Sequence, residues 1–249
     1  MTARYAPHPV LPRYYGRPDE RQSFVTDLFD GAARHYDRVC GLMSLGSGQW
    51  YRRSALARAG LRPGMTVLDV ATGTGLVASA AVDLVGDPRS VVGLDPSAGM
   101  LREARRRFAG ALVQGRAEAL PFAAGAFDLV TIGYALRHVA DLGQAFAECR
   151  RVLRPGGRLL VLEISHPPSP ARRQAIRLYF TAVLPLLVGL STRNRHARLL
   201  LRYYWDTIAA CVPPETILDA LRGTGFAGAE RRLLAGCFSE YAAVAPARA

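Results

Sequence analysis

The stretch from Met65 to Asp95, MTVLDVATGTGLVASAAVDLVGDPRSVVGLD, constrains the fold of this chain more than any other. Met65 to Val70 is apolar and β-branched, and a polar residue arrives at its C-terminal end as Asp69, which predicts a buried strand. Gly73 and Gly75 then flank Thr74 in a tight turn, where larger side chains would block the approach of a ligand. Leu76 to Val85 has helical composition, so the turn sits at a helix N-terminus and points unpaired N–H groups outward. Ser90 to Leu94 predicts a second strand with Asp95 at its tip, where a carboxylate can accept both hydroxyls of a ribose. The stretch reads as a nucleoside-cofactor site.

The segment Gly73-Thr74-Gly75-Leu76-Val77-Ala78 formally fits the dinucleotide fingerprint, with Asp95 at a suitable distance. Two features argue against NAD. Asp69 stands before the glycines, where it would repel a pyrophosphate but suit a cationic amino or sulfonium group. The second half of the chain lacks a hydride-transfer constellation. The pattern Asp69-x-x-x-Gly73-x-Gly75 followed by Asp95 instead resembles the first motifs of class I S-adenosylmethionine methyltransferases.

The rest of the chain predicts an α/β architecture with a Rossmann-like, doubly wound sheet. Further strands are expected at Ala111–Gln114, Ala126–Ile132 and Arg158–Ile164, with helices between them. A hairpin of Ala229–Leu234 and Cys237–Ala245 is expected to add an antiparallel strand at the C-terminal end. N-terminal helices from Arg21 form either a pair packed on the sheet edge or a lid that brings Tyr36 to the cofactor. A single domain spans residues 21–249 after a flexible leader, 1–20. A helical cap is expected at about 166–212.

That cap holds no acidic residue from Ile164 to Trp205, while arginines flank the apolar run Leu178–Leu190. Such a segment can lie on an anionic membrane or form an apolar acceptor tunnel, or it is simply a buried cap with solvated arginines. The run is too short to span a bilayer, and Pro185 interrupts it. The chain has no lysine and a net charge of +12, which favours polyanions and anionic surfaces. No appended RNA-binding module is visible, so no nucleic-acid partner is expected. The four cysteines, Cys40, Cys149, Cys211 and Cys237, show no zinc-like spacing, and neither metal nor disulfide is expected. The N-terminus lacks a signal-peptide core, so a cytoplasmic location, extending to the membrane surface, is expected.

At the end of the fourth strand lies Gly133-Tyr134-Ala135-Leu136-Arg137-His138, and strand ends beside a cofactor are where chemistry should be sought. Met100 packs either in the core or on an adenine ring. The loop Gly115–Phe122 offers the backbone N–H of Ala117 to adenine. Arg137 either pairs with Asp141 or serves the reaction, and His138 either caps a helix or takes part in catalysis.

From about Phe29 onward the chain resembles the ubiquinone/menaquinone biosynthesis C-methyltransferases. The matching segments are FDGAARHYDRV with SLGSGQW, VLDVATGTG, VVGLDPSAGML, RAEALPF, FDLVTIGYALRHV, LRPGGRLLVLEISHP and YYWDTI. The resemblance implies S-adenosylmethionine as cofactor, held at Thr74, Asp95, Arg116, Ala117 and Gly133. Tyr36, Asp69, Gly73, Gly75 and Met100 complete the expected cofactor set. It implies a lipophilic aromatic acceptor, near Tyr134, His166, Tyr179 and Tyr204, and leaves a homodimer among the expectations. Arg137 would stabilise the phenolate of a hydroquinone, and His138, where the family usually has asparagine, would receive the proton. An O-, N- or C-methyltransferase of a soluble secondary metabolite is the alternative.

Overall fold

A computed structural model describes residues 5–165, 167, 169–191 and 194–247. Two helices, α1 (Glu20–Met43) and α2 (Gly48–Arg58), precede strand β1 (Val67–Val70). Helix α3 (Leu76–Val85), strand β2 (Val91–Asp95), helix α4 (Ala98–Ala104), strand β3 (Ala111–Gln114) and strand β4 (Phe127–Gly133) follow. Helix α5 (Leu142–Val152) and strand β5 (Leu153–Ile164) complete the alternating part. The cap consists of α6 (Pro170–Leu178), a π-helical turn (Tyr179–Val183), α7 (Leu184–Ser191) and α8 (Arg195–Ala210). Helix α9 (Pro214–Gly223) leads to β6 (Ala227–Leu234) and β7 (Phe238–Val244).

The seven strands form one sheet in the order β3-β2-β1-β4-β5-β7-β6. Strands β1 to β5 pair in parallel, and β7 runs antiparallel to both β5 and β6. The apolar strands Val67–Val70 and Leu129–Ile132 are buried throughout, as expected for a sheet covered on both faces. Chain direction across the sheet reverses between β1 and β4. Open α/β sheets bind ligands outside the carboxyl ends of the strands at this switch point. Here those ends carry the glycine turn on one side and Gly133-Tyr134 on the other.

Local signals account for most element ends. Asp141 caps α5 by accepting from the Gln144 N–H at 3.1 Å, and Ser97 caps α4 through the Met100 N–H at 3.0 Å. The π turn lies just before Pro185, whose ring cannot fit against the carbonyl four residues earlier in an α-helix. Helix α1 continues to Met43, with Val39 keeping its face buried. Helix α4 stops at Ala104, and Phe108 turns into the core. Arg154-Pro155-Gly156-Gly157 lies within β5, where the pairing with β4 is irregular and Gly156 takes φ +79°.

The described part of the expected flexible leader is packed on the domain. The Tyr5 and Pro7 carbonyls accept from the N–H groups of Leu142 and Val212, each at 2.9 Å. His8 and Tyr15 are buried.

Candidate active site

Two cavities meet at the switch point. The larger, of about 500 Å³, has Tyr134, Arg137, Tyr179 and Tyr204 in its wall, together with the Thr72–Thr74 turn, α2 and the tip of the β6–β7 hairpin. The smaller, of about 60 Å³, is lined by Asp95, Pro96, Ser97, Ala135 and His138. Tyr36, Ala71, Gly73, Gly133 and Tyr134 belong to both walls. The five form a seam between the two spaces.

The glycine turn is held from below. Asp69 is buried and accepts from Thr131 Oγ1 at 2.6 Å, Thr72 Oγ1 at 2.7 Å and the Ala78 N–H at 3.1 Å. It lines neither cavity. The expectation that Asp69 faces a cationic group is therefore corrected: its carboxylate shapes the turn and is spent on protein donors. Burial pushes its carboxyl up to about 6, against those hydrogen bonds. Gly73 and Gly75 take φ +58° and +80°, which side chains strain to adopt, and Gly75 opens α3.

Asp95 sits at the tip of β2 as expected. One carboxylate oxygen accepts from the Gly73 N–H and the other from the Ser97 N–H, both at 2.8 Å. Each oxygen keeps a lone pair, so the group retains the capacity to accept two ribose hydroxyls. Burial raises its carboxyl to about 6, and the nearby Asp69 and Asp30 charges add to the rise.

Helix α1 crosses this turn and fastens to it. Thr74 Oγ1 donates to Asp37 Oδ1 at 2.5 Å, and Arg107 pairs with the same carboxylate. Asp30 accepts from Ser97 Oγ and, at 2.7 Å, from the Gly99 N–H. Tyr36 accepts from Tyr204 Oη at 3.0 Å and so joins the helix to the cap. Sequence reasoning missed Asp30 and Asp37, which stand in an ordinary helical stretch with nothing to single them out.

The remaining expected cofactor residues divide. Gly133 lines both cavities, and a Cβ there would come within 2.7 Å of Val77 Cγ2. Met100 is buried but lines neither cavity, as does Ala117, which joins the main core. Arg116 is half-exposed and lies 3.6 Å from Glu118, outside both walls.

Arg137 is 1% exposed and pairs at 2.5 Å with Glu163, which is 2% exposed. The expected partner, Asp141, caps α5 instead. Glu163 stands one residue before the end of β5, after the apolar run Leu159–Leu162. Burial raises the Glu163 carboxyl above its ordinary range, with Arg137 opposing. The Arg137 guanidinium also lies 5.6 Å from the Tyr204 ring centre.

His138 lines only the smaller cavity, enclosed by Phe29, Tyr203 and Tyr204 with ring centres 5.2, 5.4 and 5.9 Å away. Neither ring nitrogen has a hydrogen-bond partner among the described residues. Burial, joined by the Arg137 charge, holds its pKa well below the usual histidine range. His138 is thus a neutral, weak base on a different cavity from Arg137, contrary to the proton-acceptor role and to helix capping. His166 lies outside the described residues.

A family model described as the ubiE/COQ5 methyltransferase family matches residues 17–242. The chain belongs to this family. It is 38% identical over 213 residues to the ubiquinone/menaquinone biosynthesis C-methyltransferase UbiE of Hahella chejuensis, covering 83% of this chain and 84% of that one. It is also 38% identical over 228 residues to the demethylmenaquinone methyltransferase of Clavibacter sepedonicus, covering 90% and 91%. Among solved structures, an S-adenosylmethionine-dependent methyltransferase from Thermotoga maritima superposes with a TM-score of 0.62 at 18% identity, covering 88% of this chain and 99% of that one. The ubiE/COQ5 member described here is therefore an S-adenosylmethionine-dependent methyltransferase with the class I fold. The donor set fits that cofactor: a carboxylate with free lone pairs, a glycine turn without side chains and a Cβ-free strand end.

Proposed function

We propose that this enzyme methylates a ring carbon of a prenylated hydroquinone, of the demethylmenaquinol or ubiquinol-precursor type. The observation that carries the reading is the large cavity, apolar over most of its wall yet sharing its seam with the smaller cavity that Asp95 lines. The names of the two curated relatives point to the same acceptor class.

S-adenosylmethionine supplies an electrophilic methyl group on a sulfonium, and the chain supplies alignment. Tyr36, Gly73, Gly133 and Tyr134 in the seam would hold donor and acceptor in line. Arg137, fixed by Glu163 and stacked near Tyr204, would lower the pKa of the ring hydroxyl and stabilise its phenolate. With His138 neutral and in the other cavity, the hydroxyl proton passes to water. The methyl group would exchange its bond to sulfur for one to the ring carbon, and loss of that carbon's proton would restore aromaticity.

The acceptor's tail would leave through the cavity mouth. Among the described residues, the exposed large apolar ones are Leu45, Trp50, Leu178, Val183, Leu186, Leu187 and Leu233. Trp50 is itself in the cavity wall, Leu45 follows Ser44, Leu178 lies between Ile176 and Tyr179, and Leu233 precedes Leu234, all four of those neighbours being wall residues. Exposed Arg172, Arg173 and Arg177 stand on α6 beside them. An apolar rim with basic neighbours suits an anionic bilayer surface. No helix among the described residues is long and apolar enough to cross a membrane.

The test uses methyl-labelled cofactor with chemically reduced demethylated quinones of short and long tail, followed by mass spectrometry of the organic phase. Label on a ring carbon, lost in Arg137→Ala that still binds cofactor, is the expected result. Absence of transfer to any quinol despite tight cofactor binding would overturn the reading and turn the search to soluble phenolic metabolites.

A further inference from the structure

We propose that Arg52 is an anion-receiving residue of the large cavity, the counter-charge for a negatively charged oxygen that arrives with a ligand. The three buried arginines of the described residues differ in how their charge is met. Arg137 pairs with Glu163. Arg21 donates to the carbonyls of His8 at 2.8 Å and Val139 at 3.2 Å. Arg52 is only 8% exposed and lines the cavity, yet no carboxylate lies within ion-pair distance; its Nε, like those of Arg21 and Arg137, has no acceptor among the described residues. The ring of Tyr134 lies 5.8 Å from the guanidinium carbon, and the Asp69 and Cys40 groups feel the Arg52 charge without pairing with it.

The backbone makes room for this side chain. A Cβ at Gly48, one turn earlier in α2, would lie 2.8 Å from Arg52 Nη1. A guanidinium taken out of water without a counter-charge is costly, and folding alone gives no reason to keep one there. Binding of an anion offsets that cost, and the planar fork of donors suits a carboxylate or a phenolate.

Both oxygen types are available on the two ligands of this reaction. The acceptor presents a ring oxygen that ionises, and the cofactor carries an amino-acid carboxylate. Arg52 lies over Tyr134, which belongs to both cavity walls, so an anion from either side can meet it. The acceptor arm rests on the hydroquinone reading above; the cofactor arm does not.

The variants Arg52→Met and Arg52→Lys test this, with melting of the ligand-free protein, calorimetry with S-adenosylhomocysteine, and steady-state kinetics on a short-tailed quinol. Arg52→Met should melt no lower than the wild type without ligand, since it removes an uncompensated charge, while ligand-dependent behaviour fails. A tenfold or greater loss of S-adenosylhomocysteine affinity assigns the anion to the cofactor carboxylate. Unchanged affinity with a tenfold lower kcat/KM, recovering as pH rises and the phenolate forms unaided, assigns it to the acceptor. Arg52→Lys should retain part of either function. Unchanged affinity together with unchanged kinetics overturns the proposal. So does a clearly lower ligand-free melting temperature in Arg52→Met, which would mean protein groups already compensate the charge. Wild-type inactivity on every quinol, by contrast, would strike the hydroquinone reading and leave the calorimetric arm intact.

Discussion

Replacing Glu163 by leucine should unfold the protein far more readily than replacing both members of the pair it forms with Arg137. Arg137 and Glu163 are 1% and 2% exposed and bonded at 2.5 Å. Removing one partner from such a pair leaves an uncompensated buried charge and costs about 3–5 kcal/mol. Glu163 Oε1 also accepts from the Ile164 N–H at 2.7 Å, so Glu163→Leu forfeits roughly another 1 kcal/mol of hydrogen bonding. In a chain of this size each kcal/mol moves the melting temperature by about 2–4 °C, which places Glu163→Leu roughly 8–24 °C below the wild type. The double variant Arg137→Met/Glu163→Leu strands no charge and keeps similar volume, so it should recover most of that loss. Urea unfolding of the two single variants and the double variant gives the coupling energy directly. Two single costs below about 1 kcal/mol that simply add in the double variant would refute the argument. The pair would then be two independent side chains that happen to lie close.

Cofactor affinity should fall with pH through the titration of Asp95. Its carboxyl is raised from the ordinary carboxylate range to about 6, so binding that needs the ionised form weakens about tenfold per pH unit below that value. Calorimetry with S-adenosylhomocysteine between pH 8 and 5 measures this, and a flat profile would remove Asp95 from the ribose site. The same raised values at Asp69 and Asp95 give stability that is fully present below about 4 and lost as pH rises through about 6. Leu45→Ser/Leu178→Ser should weaken co-sedimentation with anionic vesicles by tenfold or more, since each leucine inserted contributes about 1.5–3 kcal/mol; equal binding by the variant would exclude the cavity rim from the contact. Ala71 takes φ +55°, so Ala71→Gly relieves strain of about 1–2 kcal/mol against a glycine entropy cost of about 0.5–1. Urea unfolding should find it as stable as the wild type or slightly more so, and a loss above about 1 kcal/mol would show that the Ala71 methyl packs favourably.

The glycine turn, the carboxylate at the tip of β2 and the polar cluster after β4 were legible because each rests on neighbours in sequence. A turn between a strand and a helix leaves a local pattern, and so does a polar residue ending an apolar run. Partnerships across the fold left none. Arg137 had a plausible partner in Asp141, within one helical turn's reach, yet the sheet brings Glu163 beside it because β4 and β5 pair in parallel with Gly133 opposite Leu162. Asp69 was read by its charge, but its role follows from Thr72 and Thr131, one in the turn and one on the neighbouring strand. His138 reads as a base by residue type. Only its enclosure by three aromatic rings and the Arg137 charge makes it a poor one. Arg52 is one of many arginines in a chain without lysine, and nothing local separates it from Arg53, which is exposed.

Backbone strain marks the same region independently of side-chain chemistry. Among the described residues, the non-glycine positions with positive φ are Leu45, Ala71, Tyr134 and Ala235. Ala71, Tyr134 and Ala235 line the large cavity, and Leu45 directly follows Ser44 in its wall. Each left-handed residue costs about 1–2 kcal/mol and persists only where surrounding structure outweighs it. At Tyr134 the restraint is visible: its N–H donates to the Leu162 carbonyl at 2.7 Å, which extends the β4–β5 pairing beyond the strand end. The left-handed turn brings the Tyr134 ring beneath Arg52 and into both cavity walls. A relaxed backbone at this residue would direct its side chain elsewhere and separate the seam from the buried cation. The strain and the uncompensated charge therefore meet at one contact, where a ligand bridging the two cavities would find both already in place.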